Sequence, residues 1–107
     1  MKKPTSVTHG ATTWKIKWTE FLGDLNGVTD QNSSVINIAT EGLSPTQQRL
    51  TFCHEDFHAG LYGSGIRAHP WWTVEVEEAI CLVAESIILE LLTRPENKDA
   101  RKWLMDM

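Results

Sequence analysis

The period of hydrophobic and polar positions changes along the chain and divides it into elements. Over residues 12–20, Trp14, Ile16 and Trp18 alternate with Lys15, Lys17 and Thr19, the period of two expected of a strand with one buried face. The β-branched run Val35-Ile36-Asn37-Ile38-Ala39 predicts a second strand. Between them, residues 23–34 hold Asn26-Gly27 and a polar run and read as a loop. At Ser44-Pro45-Thr46-Gln47 a helix should begin, with Ser44 as N-cap, Pro45 in the first helical position and Gln47 placed to close a capping box. It should run to about Tyr62, where Gly63 and Gly65 stop it. Thr73 is a fitting N-cap for a second helix from Val74 to about Leu92, ended by the Thr-Arg-Pro segment at 93–95. Residues 96–107, with Trp103 and Leu104, predict a short docking helix. The order β, β, α, α, α is that of an α+β domain, with a small sheet of two or three strands packed on the helices.

The helical faces sharpen this picture. Leu50, Cys53, Phe57 and Leu61 make the apolar stripe of the first helix, and His54 and His58 lie on the same stripe. Both histidines should therefore face inward. On the second helix Val76, Ile80, Cys81, Val83, Ala84, Ile87, Ile88 and Leu91 surround one direction, with Glu77 near the middle of the apolar arc. A carboxylate there is costly unless it is paired or bound to a metal. Glu75, Glu78, Glu85 and Glu90 fall at the edge of the arc or beyond it and fit solvated helix charges. Trp14 and Trp18 are expected in the core, whereas Trp71 and Trp72 fit a core, an interface or a pocket wall equally well.

A length of 107 residues suits one domain over the whole chain, with residues 1–10 expected to be flexible. Ten Lys and Arg against 14 Asp and Glu give a net charge of -4, and the basic residues are scattered. That disfavours a nucleic-acid partner. Two N-terminal lysines followed by Pro4, Thr5, Ser6 and Thr8 do not read as a signal peptide. The longest apolar run, 79–92, is interrupted by Glu85 and Glu90 and is too short to cross a bilayer. A cytoplasmic, soluble chain with no membrane partner is expected, with Cys53 and Cys81 as buried thiols.

The chemistry is concentrated in His54-Glu55-Asp56-Phe57-His58, an H-E-x-x-H motif inside the first helix. Residues four apart share a helical face, so His54 and His58 can offer two imidazole nitrogens to one ion, about 2.0 Å from each. A site of this kind needs a third protein ligand and one open position. Glu77 is the first choice because of its place in the arc, Glu78 the second, and His69 the third. Cys53 is set aside because a residue next to a ligating histidine points about 100° away on a helix. Asp56 points away from the histidines and reads as solvated.

With these residues stated, the chain resembles the zincin superfamily of metallopeptidases in its glutamate-ligand branch. More narrowly, VINIA, LSPTQQRLTFCHEDFHA and EEAICLVAESIILELL, within residues 35–92, resemble the minimal ImmA/IrrE-type and phage-encoded metallopeptidase domains. The match departs at Phe57, where that pattern has Gly, and at Ala79-Ile80, where it has Ala-Asn. The resemblance implies a minimal zincin-like fold, a Zn2+ cofactor, a peptide or protein substrate and a cytoplasmic setting, that of a phage-infected host included.

The implied reaction also follows from the residue types. Zinc on two imidazoles and a carboxylate acidifies water and polarises a peptide carbonyl, and Glu55 is placed to act as general base. Tyr62, Arg67 and His69 are candidates for a further oxyanion or substrate contact. The second strand, 35–39, could offer an edge on which an extended peptide pairs. The competing reading is a zinc-stabilised regulatory or interaction module with little or no peptidase activity.

Overall fold

The computed structural model describes residues 2–106. Its elements in chain order are β1 (Ser6–His9), β2 (Thr12–Thr19), β3 (Gly27–Asp30), β4 (Val35–Ala39), α1 (Pro45–Gly63), α2 (Val74–Thr93) and α3 (Lys98–Met105), with single 3-10 turns at Ile66–Ala68 and Pro95–Asn97. The fold is α+β. The sheet has four strands in the order β1-β2-β4-β3, so it exceeds the two or three expected. β2 and β4 pair in parallel at the centre, and β1 and β3 flank them antiparallel.

The two central strands are those that the alternation predicts. Ile16 pairs with Ile36 and Trp18 with Ile38, so one face of the sheet is apolar. Trp14, Ile16, Ile36 and Ile38 are buried there against Ala59 of α1, while Lys15 and Lys17 on the other face are exposed. Helix α1 starts as its sequence requires. The Gln47 amide donates to Ser44 Oγ at 3.1 Å and the Ser44 amide to Gln47 Oε1 at 2.8 Å. Thr73 caps α2 through the Val76 amide, and Gly65 closes the first helix segment with φ +80.

Residues 6–9, expected to be flexible, form β1 because they find the outer edge of β2. The supposed loop contains β3, a strand with no apolar alternation of its own that exists by pairing with β4. Strand 35–39 therefore has β2 on one side and β3 on the other, and the free edge beside α1 belongs to β3. The most buried residues of α1 are Glu55 and Ala59, which lie toward the sheet, and the Leu50, Cys53, Phe57, Leu61 stripe is only half-buried. On α2 the apolar arc is covered on one side alone, so Val83 and Ile87 are each 60% exposed. The last helix does not dock through Trp103, which is 76% exposed. Arg101 holds it by donating to the carbonyls of Leu91 and Arg94. No helix of the described residues is long and apolar enough to cross a membrane.

Candidate metal centre

Three parts of the fold meet at one cleft of about 540 Å³, lined among others by His54, Glu55 and His58 of α1, Glu77 and Glu78 of α2, and Gly27, Val28 and Thr29 of β3. Gly27 lets α1 approach the strand closely. A Cβ there would lie 2.7 Å from Thr51 Cγ2 and 2.8 Å from Glu55 Cγ. Beside it, the Thr29 hydroxyl lies 2.8 Å from Glu55 Oε1 and 3.0 Å from the Glu55 carbonyl, and donates to them. Glu55 is 8% exposed and its carboxylate is held on the cleft wall.

The two histidines turn the same edge into the cleft. Their Nε2 atoms lie 3.3 Å apart, and the Glu78 carboxylate spans them, with Oε1 2.8 Å from His54 Nε2 and Oε2 3.0 Å from His58 Nε2. His54, His58 and Glu78 thus form a group whose ligand atoms are close enough for one ion. Imidazole donors about 2.0–2.1 Å from a tetrahedral ion stand roughly 3.3–3.4 Å from each other. The two histidines already have that spacing, so the donor set fits a divalent cation of zinc's size and preference.

Behind each ring stands another carboxylate. His58 Nδ1 donates to Glu77 Oε2 at 2.7 Å, and His54 Nδ1 faces Glu85 Oε2 at 3.5 Å. At His58 the proton donated from Nδ1 to Glu77 leaves Nε2 as a lone pair, the usual outer support of a metal-binding histidine. Two Nε2 atoms and two carboxylate oxygens then converge on one point, a donor set that a single divalent cation would satisfy.

Glu77 is as buried as its helical position predicts, at 4% exposure, but it is not the carboxylate that faces both Nε2 atoms. Its oxygens are committed elsewhere. Arg67 Nε donates to Oε1 at 2.9 Å and Nη2 to Oε2 at 2.8 Å, and Trp72 Nε1 adds a bond to Oε1 at 3.2 Å. Burial pushes this carboxyl up, but the hydrogen bonds from Arg67, His58 and Trp72 outweigh that and hold it at about 2. The buried Glu77 charge needs a partner, and Arg67 meets that need. Of the two carboxylates expected as third ligand it is Glu78, the second choice, that stands with His54 and His58 close enough for one ion. Glu78 and Glu85, seven apart and two turns along one helical face, both address His54, but that spacing alone does not distinguish Glu78 from Glu77.

The remaining candidates separate. Arg67 lines the cleft, clamped on Glu77, with its guanidinium 5.1 Å from the Tyr62 ring and 5.5 Å from the Trp72 ring. Tyr62 packs edge-on to Trp14 and His69 stacks beside Trp71. Neither Tyr62 nor His69 lines the cleft, and His69 stands apart from the cluster. Asp56, expected to be solvated, is bonded to His9 of β1 at 2.6 Å, a pairing 47 residues apart that no local pattern reveals. Both cysteines are free, Cys81 buried and Cys53 half-buried. Burial and the nearby charges of Glu77, Glu78, Glu55 and Glu85 push the Cys81 thiol up to about 12. Glu77, Glu78 and Glu85 stand around the two imidazoles, and Arg67 is paired with Glu77 among them.

No protein-family model, curated protein or solved structure matches the chain.

Proposed function

We propose that the protein is a zinc-dependent metallopeptidase, with His54, His58 and Glu78 as metal ligands and Glu55 as general base. The observation that carries this reading is the convergence of two Nε2 atoms and one carboxylate, each imidazole backed by a second carboxylate, beside a buried H-E-x-x-H glutamate in an open cleft. The resemblance of residues 35–92 to the glutamate-ligand zincins, minimal ImmA/IrrE-type and phage-encoded domains among them, points the same way.

Bound there, zinc would lower the pKa of water toward ~7 and polarise a peptide carbonyl. Glu55 takes the proton of the attacking water and passes it to the leaving amine. The Thr29 hydroxyl fixes the Glu55 carboxylate so that its other oxygen, Oε2, is the one that exchanges the proton. Glu77 fixes the His58 imidazole, and Arg67 and Trp72 fix Glu77 in turn. An extended substrate pairs along the free edge of β3, whose residues line the cleft.

The test is a peptide-library digest by the purified full chain, with and without a chelator, alongside Glu55→Gln. Chelator-sensitive cleavage that Glu55→Gln abolishes while retaining zinc and stability supports the proposal. A zinc-loaded chain that cleaves nothing reduces the ion to a structural clasp and leaves the protein as a binding or regulatory module.

A further inference from the structure

A second hollow, of about 380 Å³, lies on a different part of the surface, where the start of the chain, the end of β2, the first half of α1 and the end of α2 meet. Its size is within the range of small-molecule sites. Trp18, Phe52 and Leu92 supply an apolar lining, and Lys2, Lys3 and Arg49 bring three cations to it. No carboxylate of the described residues lines it. Among the described residues none of the three cations has an ion-pair partner. In a chain of net charge -4 this is a local reversal of sign.

The wall made by the chain start is fastened. Trp18 Nε1 donates to the Pro4 carbonyl at 2.8 Å and the Ile16 amide to the Thr5 carbonyl at 2.9 Å. Lys3 Nζ stands 4.8 Å over the Trp18 ring, so a positive charge sits directly above the apolar lining. A cation–π contact does not neutralise that charge. An anion arriving there would meet unpaired donors, and hydrocarbon attached to it would cover exposed apolar surface.

We propose that this pocket binds a small organic anion with an apolar body, its hydrocarbon part on Trp18, Phe52 and Leu92 and its single carboxylate among Lys2, Lys3 and Arg49. Inorganic anions lack the apolar part, and uncharged hydrocarbons leave the three cations without a partner. This assignment is independent of the metal centre.

The experiment titrates the isotopically labelled full chain with octanoate and, as the uncharged match, 1-octanol, and follows amide and indole NMR shifts. Octanoate should give saturable shifts at the Trp18 indole N–H and the Arg49, Phe52 and Cys53 amides, with 1-octanol about tenfold weaker, the worth of one charge-assisted hydrogen bond. Arg49→Glu, at an exposed helix position, should weaken octanoate by a similar factor and leave the rest of the spectrum in place. Lys3→Glu serves the same purpose if Arg49→Glu unfolds. Absence of saturable shifts, equal affinity for octanol, or shifts centred on Val83 and Ile87 instead of Trp18 overturns the proposal.

Discussion

Glu77 and Glu78, neighbours in sequence, meet opposite nitrogens of one imidazole: Glu77 Oε2 lies 2.7 Å from His58 Nδ1 and Glu78 Oε2 lies 3.0 Å from His58 Nε2. One carboxylate therefore supports the ring from behind while the other meets its Nε2 edge. Glu78→Ala should abolish stoichiometric zinc binding in a competition titration against a chromophoric chelator. Glu77→Gln should weaken zinc by about 10–100-fold, the usual cost of losing an outer partner. Equal losses in the two variants, or a greater loss in Glu77→Gln, would reverse the assignment.

The Arg67 and Glu77 pair makes a stability prediction that does not need a metal. Glu77 is almost fully buried and takes two bonds from the guanidinium. Arg67→Met leaves that carboxylate without its main partner and should destabilise the chelated protein by roughly 3 kcal/mol. Urea unfolding measures this. A change under about 0.5 kcal/mol, the range of ordinary surface substitutions, would show that the pair contributes little.

Glu77 also sets an acid limit. Its carboxyl is held at about 2 in the folded chain, below its ordinary 4.5, so the unfolded chain takes up the proton first. The contribution is complete above about pH 4.5 and is lost as pH falls toward 2, about 3 kcal/mol in all. Unfolding free energy followed from pH 6 to pH 2 should fall through that window in the native chain and more gently in Glu77→Gln. Parallel curves would contradict the depressed carboxyl.

Gly27 should be intolerant of any side chain. An added Cβ would press on Thr51 Cγ2 at 2.7 Å and Glu55 Cγ at 2.8 Å, so those side chains must turn aside or the strand must move away from α1. Gly27→Ala should cost about 1–3 kcal/mol, the usual penalty of overpacking, and displace Glu55 from Thr29. Thermal unfolding and the Thr29 and Glu55 NMR shifts report the two effects. An unchanged melting temperature would mean that α1 does not rest on β3 at this point.

The parts of this fold that could be read from the sequence are those whose signals are local. The alternation around Trp14, Ile16 and Trp18, the VINIA run, and the caps at Ser44 and Thr73 each carry their own pattern, and all four elements lie where that pattern puts them. β1 and β3 carry none. Ser6–His9 and Gly27–Asp30 are short and mostly polar, and become strands only because β2 and β4 offer them free edges.

The candidate site divides in the same way. His54, Glu55 and His58 are legible because helical spacing alone brings the two imidazoles together. The choice between Glu77 and Glu78 is not, since it depends on Arg67, which arrives from a turn whose position no periodicity fixes. Burial of a charge identifies a group that needs a partner, but not which partner it finds. The bond between His9 and Asp56 is beyond sequence reading for the same reason.

Zinc K-edge absorption of the zinc-loaded full chain, with the metal content measured on the same sample, tests the central claim most directly. The account predicts one zinc per chain, two imidazole rings in the scattering pattern, oxygen as the remaining neighbour at about 2.0 Å and no sulfur. Substoichiometric zinc, a sulfur shell from Cys53 or Cys81, or a pattern without imidazole would contradict it.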